Sequence, residues 1–177
     1  MLALFFTIVE AVCFNRGFYT WQYRQNNTAE SIKISDQGLM NATNTLLDYI
    51  RNKRDDILVR EKVNGIEREI FDARETAHMV DVKQLYMNGI NFRMVIFLVG
   101  LGILVTLCII NRKAVYDVIL NAYRNGLIIL AGLLGTLTVW ACVDFDAFWM
   151  GFHHVFFRND LFLLDPDISI MINMFPA

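Results

Sequence analysis

Met94-Val95-Ile96-Phe97-Leu98-Val99-Gly100-Leu101-Gly102-Ile103-Leu104-Val105-Thr106-Leu107-Cys108-Ile109-Ile110 runs for 17 residues without a charge. A second uncharged run, Leu127 to Val143, carries Gly132 and Gly135. Each approaches the roughly 20 apolar residues that cross a bilayer as a helix. Their small residues let neighbouring backbones come close. These runs decide the fold class, an all-α integral membrane protein. The composition agrees: 55% of the 177 residues are hydrophobic, and they are gathered in blocks.

Outward from these runs the chain divides into six parts. Residues 1–23 read as a first transmembrane helix with an interfacial anchor. Met1 to Phe14 is apolar apart from Thr7 and Glu10, and Phe18, Tyr19, Trp21 and Tyr23 follow. With no basic residue before Arg16, the run lacks a secretory signal's start. At that length it is expected either to tilt or to be truncated. Residues 24–92 are polar, with apolar positions at helical spacing, and are expected to form a folded helical cap. Ser35-Asp36-Gln37-Gly38 reads as a helix start and Asn64-Gly65 as a turn. From Ile66 onward, Ile66, Ile70, Ala73, Ala77 and Val80 make one helical face. A transmembrane helix over 93–111, a short loop over 112–126 and a further helix over 127–147 complete the apolar part. Residues 148–177 come last, as the segment carrying candidate chemistry.

Arg112, Lys113 and Arg124 outnumber Asp117 in the short loop, so the positive-inside rule makes it cytoplasmic. The cap and residues 148–177 then fall outside. His78 and His153 are thereby expected on the same, extracellular side.

Several chemistries lack support. A net charge of -2 gives no basic excess for nucleic acid. Cys13, Cys108 and Cys142 form no CxxC pair. Ser31, Ser35 and Ser169 sit in no nucleophile elbow, and no glycine-rich phosphate loop occurs. Glu75-x-x-His78-x-x-Asp81 lines polar groups along one side of a helix. A di-iron half-site needs a second such pair, which is absent. Zinc held by Glu75, His78, Asp81 and His153 or His154 lacks an H-E-x-x-H motif or a cysteine. We therefore expect neither metal nor cofactor.

What remains is Phe152-His153-His154-Val155-Phe156-Phe157-Arg158-Asn159-Asp160, running on to Leu164-Asp165-Pro166. Two of the three histidines lie here among Trp149, Phe152, Phe156, Phe157 and Phe162. An imidazole in a half-dry aromatic setting suits acid/base chemistry near neutral pH. An interfacial aromatic belt with incidental histidines accounts equally for the local pattern.

These stretches, with Glu75-Thr76-Ala77-His78-Met79-Val80-Asp81-Val82-Lys83, resemble the bacterial lipoprotein intramolecular transacylase (Lit) family. Ile34-Ser35, Asp48-Tyr49-Ile50 and Met174-Phe175-Pro176 extend the resemblance over nearly the whole chain. It implies a bundle of four transmembrane helices, three of them covered here, with a helical extracellular cap. A fourth helix is expected after Pro176. The pattern F-H-x-x-F-F places one catalytic histidine at His153, and H-M-x-D-V places the other at His78. Phe162 stands where the family pattern suggests tryptophan, which keeps the aromatic wall and loses an N–H donor.

The implied activity is an acyltransferase that moves the sn-2 acyl chain of a diacylglyceryl-cysteine lipoprotein to its own N-terminal amine. The product is a lyso-form lipoprotein. His78 and His153 would be the acid/base pair, with Asp81, Asp160 and Glu75 supporting or orienting them. Trp149, Phe152, Phe156, Phe157 and Phe162 would line the substrate pocket. The implied setting is a multi-pass monomer in the bacterial cell membrane, partnered by diacylated lipoproteins and membrane lipid. The alternative is a non-catalytic membrane protein whose extracellular cap binds a partner or lipid.

Overall fold

The computed structural model describes residues 2–110 and 115–175. Arg112 and Lys113, on which the loop assignment leans, and Pro176 lie outside the described residues. Eight helices and one β-hairpin are found among the described residues. They fall into two compact units. One takes in the chain up to Val9 and Gly89–Arg158; the other runs Glu10–Asn88 and from Asn159 on.

The first unit is apolar. Its main elements are the later part of α5 (Ala73–Ile110), then α6 (Val115–Val143) and α7 (Phe145–Phe156). The best windows of α5 and α6 have mean hydropathies of 2.6 and 2.2. At 1.5 Å per residue their 38 and 29 residues run about 57 and 43 Å, more than a bilayer core of about 30 Å. Val95, Ile103, Ile109 and Val139 point outward from them. In water that exposure would be costly; in lipid it is the favourable face. Val115–Gly126, expected from sequence as a loop, are the first turns of α6. Val115, Val118, Ile119 and Ala122 continue the helical period, and no proline interrupts it.

Hydropathy carries the later helix to residue 147, but α6 stops at Val143. Asp144 turns the chain and its carboxylate accepts a hydrogen bond from the Ala147 amide at 2.9 Å, capping α7. The apolar residues Phe145, Ala147 and Phe148 around Asp146 hide that break.

The second unit holds the end of α1 (Leu2–Cys13), α2 (Arg16–Asn26), α3 (Thr28–Ser31), α4 (Asp36–Ile50), the hairpin, the start of α5 and α8 (Ile170–Met174). Helices α1 and α2 meet at a 52° bend and are long and apolar enough to cross a membrane only if taken together. Asn15 makes the bend by capping α2, its side chain accepting from Gly17 and Phe18 amides. Ser35 caps α4 as expected, accepting from Gly38 at 3.0 Å. Leu39, Leu46, Tyr49, Ile57, Ile70, Met171 and Met174 form the core of this unit.

Ile66 does not begin a helix. Strands β1 (Arg60–Val63) and β2 (Ile66–Glu69) pair antiparallel around Asn64-Gly65, whose φ values are 53° and 79°. Two consecutive left-handed residues are what a two-residue hairpin turn requires. Ile66 and Ile70, spaced as a helical face, are split by it: Ile70 enters the core and Ile66 is exposed. The helix starts only at Ala73, and the polar unit is mixed rather than wholly helical.

Candidate functional site

Two sets of residues carry the candidate chemistry, one in each unit. In the polar unit Asp72 and Glu75 form a capping box at the start of α5. The Glu75 amide donates to Asp72 Oδ1 at 2.8 Å, and the Asp72 amide donates to Glu75 Oε2 at 2.7 Å. Glu75 is 1% exposed. Its other oxygen, Oε1, accepts from Ser169 Oγ at 2.5 Å and the Met171 amide at 2.9 Å. Ser169 in turn caps α8 through the Ile172 amide. Glu75 therefore ties two helix starts together. With both oxygens so committed, it is removed from the zinc set considered above.

His78 comes one turn later and is buried. Asp81 Oδ2 accepts from Asn159 Nδ2 at 2.8 Å. The backbone carbonyl of Asp160 accepts a short hydrogen bond from Arg74. Phe162 is buried nearby in sequence, and Leu164-Asp165 leads into a turn over Pro166–Ile168. There the Asp165 carbonyl accepts from Ser169 at 2.8 Å and Asn173 donates to the Pro166 carbonyl at 2.7 Å. The motif around residue 165 thus shapes the chain locally.

In the apolar unit α7 carries His153, 6% exposed. Its Nδ1 lies 2.8 Å from the Trp149 carbonyl one turn back. A carbonyl oxygen only accepts, so Nδ1 carries the proton and donates it. In the neutral ring the lone pair then sits on Nε2. The Trp149 and His153 rings meet edge to face at 4.6 Å, and Phe152 and Phe157 flank the imidazole at 5.5 and 5.6 Å. Phe145, Trp149 and Phe152 stack along the helix with interplanar angles of 14° and 15°. Phe156 packs on Phe152 at 4.8 Å. His154, the next residue, is exposed.

The structure thus gathers Trp149, Phe152, Phe156 and Phe157 around His153. It sets Glu75, Asp81, Asp160 and Phe162 in the unit that holds His78. Sequence reasoning misses the partners that fix these residues: Asn159, Ser169, Arg74, and the pair Trp140–Gly151. A Cβ on Gly151 would lie 2.7 Å from Trp140 Cη2, so any larger residue there must displace the indole or the helix. The Asp72-x-x-Glu75 spacing ahead of an apolar helix is a readable signal for the capping box.

A family model, lipoprotein intramolecular transacylase Lit, matches residues 1–177. The in meso structure of the membrane integral lipoprotein intramolecular transacylase Lit from Bacillus cereus is similar in fold, with a TM-score of 0.76 at 16% identity. The match covers 98% of this chain and 75% of that one. No curated protein matches.

Proposed function

From the premise that this chain belongs to the lipoprotein intramolecular transacylase family, and so is a membrane acyltransferase, we propose the course of its reaction. The sn-2 acyl chain of a diacylglyceryl-cysteine lipoprotein passes to the lipoprotein's own N-terminal amine. A C–N bond forms at the ester carbonyl and the bond from that carbonyl to the glyceryl oxygen breaks. The amine, with a reference pKa of about 8, must lose protons, and the departing oxygen must gain one. His153 and His78 supply these transfers. His153 takes the amine proton at Nε2; His78 protonates the glyceryl oxygen.

The observation that carries this reading is the His153 Nδ1–Trp149 carbonyl hydrogen bond, which makes Nε2 the basic nitrogen of a neutral imidazole in a buried aromatic setting. Trp149, Phe152, Phe156, Phe157 and Phe162 serve the substrate's acyl chains and keep water from the ester. Amine and ester belong to one molecule, so holding them in contact supplies much of the rate. The polar unit is the extracellular cap, the histidines act on the extracellular side, and the enzyme works as a monomer among membrane lipids.

Mass spectrometry of a defined diacylglyceryl lipoprotein from cells expressing the protein tests the reading. N-acylated lyso-lipoprotein is expected with the wild type and absent with His78→Gln or His153→Gln. Unchanged lipoprotein with every well-expressed protein would refute it.

A further inference from the structure

Arg74, His78 and Asp81 stand at i, i+4 and i+7 on α5, one stripe of the helix. The segment after Arg158 is fastened to both ends of that stripe. Asn159 Nδ2 reaches Asp81 at 2.8 Å, and the next residue, Asp160, takes the Arg74 guanidinium on its carbonyl. Seven helical steps separate those two points, about 10 Å at 1.5 Å each, with His78 between them. Farther along, Ser169 and Met171 close on Glu75, three residues before His78. The segment from Asn159 to Met171 is therefore a strap held on the His78 helix at Asp81, Arg74 and Glu75.

These fastenings differ in kind. The Glu75 end is buried and accepts three donors. The Asp81–Asn159 end is a single polar bond exposed to water. Such a bond adds little to stability, since water competes for both partners. It does fix geometry: the Asn159 side chain is itself held by its oxygen, which accepts from the Leu161 amide at 3.1 Å. We infer that Asp81 and Asn159 are positioning residues for His78, registering the strap along the imidazole's stripe. The inference rests on the catalytic reading of His78 given above.

A donor–acceptor exchange tests it, in the full chain reconstituted in phospholipid vesicles with a synthetic diacylglyceryl lipopeptide. Asn159→Asp sets two carboxylates against each other while keeping the acceptor for Leu161. Its kcat should fall about 10-fold or more, as small displacements of a catalytic group do, with KM nearly unchanged. The exchanged pair Asp81→Asn/Asn159→Asp restores an N–H to carboxylate bond with its direction reversed. It should return kcat to within about 3-fold of wild type, the coupling expected of two residues in contact. Wild-type turnover in Asn159→Asp, or an exchanged pair no better than the single variant, would overturn the inference. So would an unfolding midpoint that falls in step with the rate, since the bond would then serve the fold alone. His78→Gln is measured beside them: full turnover there sinks the catalytic reading itself, whatever the exchange does.

Discussion

Replacing Glu75 by glutamine changes no volume and removes one acceptor from a site where every acceptor is used. Oε2 receives the Asp72 amide, while Oε1 receives Ser169 Oγ and the Met171 amide. The glutamine amide can be placed either way round. With its NH₂ at the Oε2 position, two N–H groups face each other at Asp72. With NH₂ at the Oε1 position the Ser169 hydroxyl can turn to accept, but the Met171 N–H then meets another donor. Either way one backbone N–H is left without its acceptor in a site that is 1% exposed. An unsatisfied buried donor costs about 1–3 kcal/mol, and the surviving bonds lose their charge-assisted part, for a total of about 2–4 kcal/mol. The loss falls on the attachment of the strap, so it should show as local opening. Hydrogen-exchange mass spectrometry over residues 159–175 should find amides there exchanging about 30- to 1000-fold faster, at a tenfold per 1.36 kcal/mol. Exchange within about 2-fold of wild type would refute the reasoning.

Gly151→Ala should move α7 off Trp140, because the added Cβ would sit 2.7 Å from the indole rim. Overpacking of this kind costs about 1–3 kcal/mol, more than the gain of about 1 kcal/mol from replacing a helical glycine. Turnover and thermal midpoint in detergent should both fall, and Trp140→Phe in the same chain should restore both; a wild-type Gly151→Ala would show that the indole simply swings aside. A lipopeptide whose sn-2 ester is replaced by a thioester separates the histidines' roles, since a thiolate leaves without a proton. His78→Gln should regain turnover of about 10²-fold or more on it, the usual worth of a general acid, and His153→Gln should not. The reverse pattern would exchange base and acid.

The membrane character is legible in the sequence because hydropathy is a sum over neighbours and needs no tertiary partner. Met94 to Ile110 and Leu127 to Val143 both lie inside long helices. Element ends are less legible. Asp144 is a strong cap placed between two apolar stretches, and nothing in a window average marks it. The hairpin is hidden because Ile66 and Ile70 have helical spacing, whereas Asn64-Gly65 imposes left-handed backbone on the residues just before. For the site, the motif carrying His153 points to the right turn of α7, but its tautomer comes only from the Trp149 carbonyl. Asp81 and Glu75 stand out in the sequence for their charge. Beyond the local Asp72–Glu75 box, their hydrogen bonds run to partners 78 to 96 residues further on, a separation no local pattern reports.

The hairpin also specifies its own alignment. Strand β2 is exposed throughout and β1 is only half-buried on one face, so burial alone does not tell the two edges how to align. Charge does. The observed register sets Arg60 opposite Glu69, Glu61 opposite Arg68 and Lys62 opposite Glu67. Sliding one strand by a residue in one direction would bring Arg60 to Arg68 and Glu61 to Glu67. Sliding it the other way would bring Glu61 to Glu69 and Lys62 to Arg68. Opposed pairs contribute about 0.2–1 kcal/mol each and like pairs cost a similar amount, so both slips are penalised at two places at once. The stretch from Arg60 to Glu69 spells a parity check: a single misplaced step in pairing is detected by the sequence itself and rejected.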